Sequence, residues 1–128
     1  MPLTIVDIFV NMPWMRNTRS IQWLKAARKE FEKFPPEVRL DMMRALSVAA
    51  EGRKADAAKP FKGVDGGIFE IAMKHRGDAF RAIYAVQIGD DVWVIDAFQK
   101  KSKSGIKTPQ MDVDRIKERI KRLKEALR

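Results

Sequence analysis

The stretch GIFEIAMKHRGDAFRAIYAVQIGDDVWVIDAF, residues 67–98, decides the fold. It holds three apolar-rich runs, Ile68–His75, Ala79–Ile88 and Val92–Phe98, separated by Arg76-Gly77-Asp78 and Gly89-Asp90-Asp91. The runs step with a period near two and the separators carry the residues of tight turns, which predicts a three-stranded antiparallel meander. Alternation gives each strand two sides. In the middle strand Phe80, Ala82, Tyr84, Val86 and Ile88 share the side expected to face a core, and Arg81, Ile83, Ala85 and Gln87 share the other. In the strand before it Phe69, Ile71 and Met73 look inward, so Glu70, Ala72 and Lys74 join Arg81 on a face expected to be uncovered. An arginine beside a glutamate and a lysine on that face is the first sign of a site.

Upstream, Ile21-Gln22-Trp23-Leu24 suits a short strand. Leu24, Ala27, Phe31 and Phe34 then recur at helical spacing, with the charged residues mostly off that stripe. Pro35-Pro36 ends this helix and starts another, because proline suits a first helical turn and not an interior. The second helix carries Val38, Met42, Leu46 and Ala49 on one face and ends near Gly52. So short a break predicts an antiparallel helical hairpin. The loop RKADAAKPFKGVDGG, residues 53–67, leads into the meander. Residues 1–18 differ from the rest: they are apolar, interrupted by Pro2 and Pro13, and hold Asp7 as the only charge before Arg16. They read as an N-terminal arm or extension to a single domain of residues 19–128. A start at Met15, with the first residues incidental to the fold, is the alternative.

Downstream, Thr108-Pro109 resembles a helix start, threonine as cap and proline as first helical residue. Val113, Ile116, Ile120, Leu123 and Leu127 form one apolar stripe. Between Lys100 and Lys124 ten Lys or Arg face three acids, so positive charge gathers where the third strand meets the final helix.

The whole chain of 128 residues holds 26 Lys or Arg against 17 acids, a formal charge of +9. That balance favours a polyanionic partner such as nucleic acid, or an acidic protein, over a neutral ligand. A merely soluble basic surface is the plain alternative. With no cysteine, disulfides, thiolate catalysis and Cys-ligated zinc are excluded. The single histidine, His75, excludes a two-histidine acid–base pair and a His-rich metal site. No apolar run approaches the roughly 18–20 residues of a membrane span. The first positive charge follows the first apolar stretch, the reverse of a secretory signal, so the chain reads as cytoplasmic.

The runs Gly67–Ile71, Gly77–Tyr84 and Ala97–Pro109 (AFQKKSKSGIKTP) together resemble the phage-derived branch of RelE/HigB-type toxins. The Phe-Pro-Pro-Glu-Val turn at residues 34–38 and Ala58–Gly63 fit the same pattern, and the similarity extends over residues 20–128. It implies the α+β RelE/ParE fold: an N-terminal helical hairpin packed on a small antiparallel sheet, with a C-terminal helix. It also implies the toxin of a type II toxin–antitoxin system and an mRNA endoribonuclease, usually acting at the ribosome. The implied partner is a small helix-turn-helix antitoxin, and the family's chemistry uses no metal or organic cofactor.

RNA cleavage by its own 2′-hydroxyl needs a proton acceptor, charge stabilisation at phosphorus and a proton for the departing oxygen. Arginine's planar fork suits the phosphate, which makes Arg81 the first candidate, as clamp of the scissile linkage. A surface arginine paired with Glu70 is its plainer role. Lys100 matches a basic position of the RelE pattern and is assigned to transition-state charge or leaving-group protonation. Lys101, Lys103 and Arg76 are assigned to neighbouring phosphates. The proton acceptor is the open question. RelE carries two lysines on the strand before its arginine, and these positions align here with Glu70 and Ala72. Glu70 could take the proton or merely orient Arg81, and Lys74 lies two residues beyond Ala72 along the same face. His75 alternates to the opposite side, and Tyr84 points to the core. Trp14, Trp23 and Trp93 could stack on bases, with packing the plainer role.

Two rivals remain at this level. A ParE-type relative poisons DNA gyrase and cuts no RNA, and a basic binding module with the same fold would have no activity at all.

Overall fold

The computed structural model describes residues 18–64, 66–100 and 108–128. Most of the N-terminal arm, and Lys101 and Lys103, lie outside the described residues. In chain order the elements are β1 (Ile21–Trp23), α1 (Lys25–Phe31), α2 (Pro36–Ala50), β2 (Ala58–Pro60), β3 (Ile68–His75), β4 (Asp78–Ala85), β5 (Val92–Lys100) and α3 (Gln110–Ala126). They make an α+β fold around a five-stranded sheet of order β1-β5-β4-β3-β2.

The meander forms as its periodicity predicts. β3, β4 and β5 pair antiparallel, and the His75–Asp78 pair closes the first hairpin around Arg76 and Gly77. Both turn residues have positive φ, 50° and 87°, the mirror-image turn whose twist matches that of the strands. Two strands enlarge the sheet beyond the expected antiparallel set. β1 runs parallel to β5, and β2 pairs antiparallel with β3 inside the stretch read as loop. β2 escapes sequence patterning because it is three residues long and ends in Pro60, which an edge strand tolerates.

α1 and α2 lie on one face of the sheet. Ala27, Phe31, Val38, Met42, Leu46 and Ala49 are buried against Ile71, Phe80, Ala82, Tyr84, Val92 and Val94. Phe34 is buried too, but it follows α1 in the turn instead of ending the helix. Ring centroids step from Trp23 to Phe31 (4.8 Å), Phe34 (5.8 Å) and Phe80 (4.9 Å), which ties that turn to the sheet. Pro36 opens α2 where its missing N–H costs nothing.

The opposite face is not uncovered. α3 lies across it and buries Ile116, Ile120 and Leu123 against Ile68, Ile83, Ala85, Ile88 and Ile95. Full burial of side chains this size stabilises by about 1.5–3 kcal/mol each, enough to hold a helix whose other faces are highly charged. Ile88 therefore belongs to this second core, since regular alternation stops with β4 at Ala85. Leu127, at the end of the stripe, is half exposed. The helix begins one residue later than expected: Pro109 is the cap residue, no side chain caps it, and the Thr108 hydroxyl is engaged elsewhere.

One irregularity sets the identity of β5's two faces. Tyr84 pairs with Val94 and Ile83 with Asp96, so Ile95 is an extra residue in the ladder. Val92 and Val94 face α1 and α2, but past the bulge Ala97 takes that side while Ile95 and Phe98 join the α3 core. The carbonyl of Ile95 accepts a hydrogen bond from Arg119 of α3, at 3.2 Å. A β-bulge re-aims every side chain beyond it. Here it turns Asp96, Phe98 and Lys100 onto the face that carries Arg81.

A candidate cationic site at the end of the sheet

Register lays the residues of the α3 face in three rows. Lys59, Glu70, Ile83 and Asp96 form one, Ala72, Arg81 and Phe98 the next, and Lys74, Ala79 and Lys100 the last. α3 packs on the first row and reaches Phe98 of the second, and the cationic side chains of Arg81, Lys74 and Lys100 lie toward the end nearer the β3–β4 turn.

Glu70 is the hub of the charges. Its Oε1 accepts from the Arg81 guanidinium and lies 3.8 Å from Lys59 Nζ, and its Oε2 accepts from the Thr108 hydroxyl at 3.2 Å. Arg81 is buried, not the surface arginine of its plainer role, although its pairing with Glu70 is as that role expects. Its Nε is buried and has no hydrogen-bond partner among the described residues. A buried guanidinium N–H without an acceptor is rare.

Lys100 sits diagonally across the β4–β5 ladder from Arg81 and is itself largely buried. Burial first, and then the positive charge of Arg81 and Lys59, hold its ammonium below the ordinary 10.5, against the opposing pull of Glu70. A lysine tuned downward in this way is a better proton donor.

The residues singled out in the sequence divide clearly. Arg81, Glu70 and Lys100 come together. Lys74 lies on the same face one row out and is exposed, and Arg76 is exposed at the hairpin tip. His75 lies on the helical side, 3.9 Å from Glu37 of α2, away from the site. Tyr84 is core: it stacks on Phe69 at 5.4 Å, and burial pushes its hydroxyl up to about 12. Trp23 packs on Phe31 and Trp93 against the α3 core, while Trp14 lies outside the described residues.

Sequence reasoning missed Lys59, Thr108 and the buried Asp96. Asp96 accepts from Arg115 and Arg119 of α3, each at 2.8 Å, and from the Ala97 N–H. Burial raises its carboxyl above the ordinary range, against the lowering pull of both arginines. Arg115 also lies over the Phe98 ring, 5.6 Å from its centroid. This clamp fixes α3 beside the site. An aspartate inside the apolar run VWVIDAF was its only trace in the sequence. Among the described residues no group of three His, Cys, Asp or Glu could hold a metal, and no helix is long and apolar enough to cross a membrane.

Among solved structures, the chain is similar to a double arginine-to-alanine variant of E. coli toxin RelE in the free state. The match has 19% identity and a TM-score of 0.56, over 82% of this chain and 97% of that one. It is also similar to a chain of the intact E. coli RelBE toxin–antitoxin complex, with 22% identity and a TM-score of 0.53, over 66% of this chain and 99% of that one. No curated protein matches it. These likenesses establish the RelE fold, and the model of the family described as "Phage derived protein Gp49-like" matches residues 29–121. With nearly three quarters of its length inside that model, the chain belongs to the phage-derived Gp49-like family.

Proposed function

We propose that this protein is the toxin of a type II toxin–antitoxin pair and that it cleaves mRNA, in the cytoplasm and at the ribosome. The observation that carries the reading is Arg81: a guanidinium buried against Glu70, its Nε without a hydrogen-bond partner among the described residues, next to Lys100 on the same face of the sheet. Arg81 would grip the scissile phosphate and offset the charge that builds on it. Glu70 accepts the proton of the 2′-hydroxyl as that oxygen attacks phosphorus. Lys100 gives a proton to the departing 5′-oxygen, leaving a cyclic phosphodiester on one fragment and a hydroxyl on the other. Glu70 and Lys100 then exchange protons with water and return to their starting states. Lys74, Arg76, Lys101 and Lys103 are the candidates for gripping neighbouring phosphates.

The partner this reading implies is a small helix-turn-helix antitoxin, with an acidic segment that meets the basic end of the sheet or α3. Its affinity should fall as salt rises from low to physiological strength.

Primer extension on a translated message tests the activity. New RNA ends with the wild-type protein, lost with Arg81→Ala in a folded sample, are the expected result. No new ends, together with inhibited gyrase supercoiling, would move the target to DNA gyrase.

A further inference from the structure

Lys59 reaches this site from β2, the short strand that pairs with β3. It stands directly opposite Glu70 in the β2–β3 ladder, on the strand at the edge of the sheet among the described residues. Opposed side chains of an antiparallel pair start about 4.5–5.5 Å apart at Cβ, so a lysine stem reaches the neighbouring carboxylate easily. Its side chain is 58% exposed while that of Glu70 is 5% exposed. One partner is therefore fixed and the other is free to follow it. Beside them opens a cavity of about 440 Å³ whose lining includes Lys59, Pro60, Phe61, Lys62, Glu70 and Val113.

The hub geometry creates a difficulty for cleavage that Lys59 resolves. Glu70 and a substrate phosphate compete for the same guanidinium, since Arg81 already donates to Glu70 Oε1. When phosphate oxygens take the fork, the carboxylate loses its strongest partner and faces a second anion at close range. A buried carboxylate in that position needs another cation to stay charged. The groups facing Glu70 are Arg81 from β4, Lys100 from β5, Thr108 before α3, and Lys59 and Lys62 from β2 and the loop after it. Arg81 is drawn to the phosphate, Lys100 serves the leaving group, and Thr108 is neutral. Lys59 is already on the same oxygen.

We propose that Lys59 is a positioning residue: it takes over the Glu70 carboxylate when substrate engages Arg81, and so holds Glu70 ionised and aimed to accept the 2′-hydroxyl proton. The role rests on the ribonuclease reading. It also assigns the cavity beside β2 to the nucleotide whose 2′-hydroxyl reacts, with Pro60, Phe61 and Val113 as its apolar walls.

The test is single-turnover cleavage of a translated message by the full-length wild-type protein, Lys59→Met, Lys59→Arg and Arg81→Ala, from mildly acid to neutral pH. Lys59→Met should slow cleavage about tenfold or more and move the acid limb of the rate profile to higher pH. Lys59→Arg should restore both the rate and the limb. Melting temperatures should stay close to wild type, since a half-exposed ion pair adds little to stability. Cleavage by wild type with rate and limb unchanged in Lys59→Met overturns the role of Lys59 alone. A slower Lys59→Met with an unmoved limb, or without rescue by arginine, also overturns it. No cleavage by wild type overturns the ribonuclease reading itself, and the role with it.

Discussion

The Glu70 carboxylate and the Arg81 guanidinium meet across the β3–β4 ladder with side chains only 5% and 9% exposed. Two opposite charges so far from water depend on each other. Each lost its hydration on folding, and each would remain as an uncompensated charge if the other were removed. If Arg81 grips a phosphate as proposed, the pair links stability to function, because that arginine is also the group that neutralises Glu70.

That dependence can be measured. Glu70→Gln, Arg81→Gln and the double variant, unfolded in denaturant beside wild type, should give a coupling energy of about 0.5–3 kcal/mol. The two single losses should sum to more than the loss in the double variant. Additive costs would mean that the pair contributes nothing as a pair. Arg81→Lys keeps the charge but loses the fork, so it should fold while cleavage drops by about 10²–10³-fold.

Lys100 should titrate early. Burial, and then Arg81, depress its pKa below 10.5, so the folded protein releases this proton before the unfolded chain does. Between the folded value and 10.5 the unfolded state holds more protons, and the contribution of Lys100 to stability therefore rises with pH through that window. Carbon-13 NMR of the lysine side chains should place its midpoint below 10.5, and Arg81→Gln should move it part of the way back, burial being the larger cause. A midpoint at the ordinary value would remove the electrostatic case for Lys100 as proton donor. Lys100→Ala should fold and lose cleavage by at least about 10²-fold.

How much of this was readable in the sequence follows from the range of the interactions. The meander was legible because its turns and its period of two are local, and alternation correctly put Glu70, Ala72, Lys74 and Arg81 on one side. Alternation alone fails for Lys100. Counted from Val92 and Val94 it would fall among the helices, and only the bulge at Ile95 reverses it. No residue type in VWVIDAF announces that bulge; the resemblance to RelE pointed to Lys100 where periodicity could not. Lys59 was hidden for a related reason. A three-residue strand is defined by the partner it pairs with, and that partner lies 11 positions further on. The apolar stripe of α3 was plain, but which face it would cover depends on packing that no local pattern encodes.

The magnitudes also rank what holds α3 in place. Ile116 is fully buried in the second core, so Ile116→Ala should cost about 2–5 kcal/mol. Asp96→Asn weakens charge-assisted hydrogen bonds to Arg115 and Arg119, which are partly exposed and can turn to water, and should cost about 1.5–3 kcal/mol. Denaturant midpoints at unchanged slope would check both. A larger loss from Asp96→Asn would mean that the clamp, and not the apolar stripe, is the main anchor of the helix.

Arg76 stands at a position that its backbone disfavours. Its φ of 50° is left-handed, in a two-residue turn where asparagine before glycine is the preferred pair. A side chain in that region costs roughly 1–2 kcal/mol, part of which asparagine avoids. Arg76→Asn should therefore raise stability, by about 1 kcal/mol at most. If the guanidinium at the hairpin tip grips a phosphate, the same change should weaken RNA binding and flatten its dependence on log salt by about one charge. Thermal melts and binding at several salt concentrations separate the two effects. A more stable variant with unaltered binding would leave the arginine with no function to set against its strain. A more stable variant that binds less well would mark the turn as a place where the chain accepts strain to keep a cation beside its substrate.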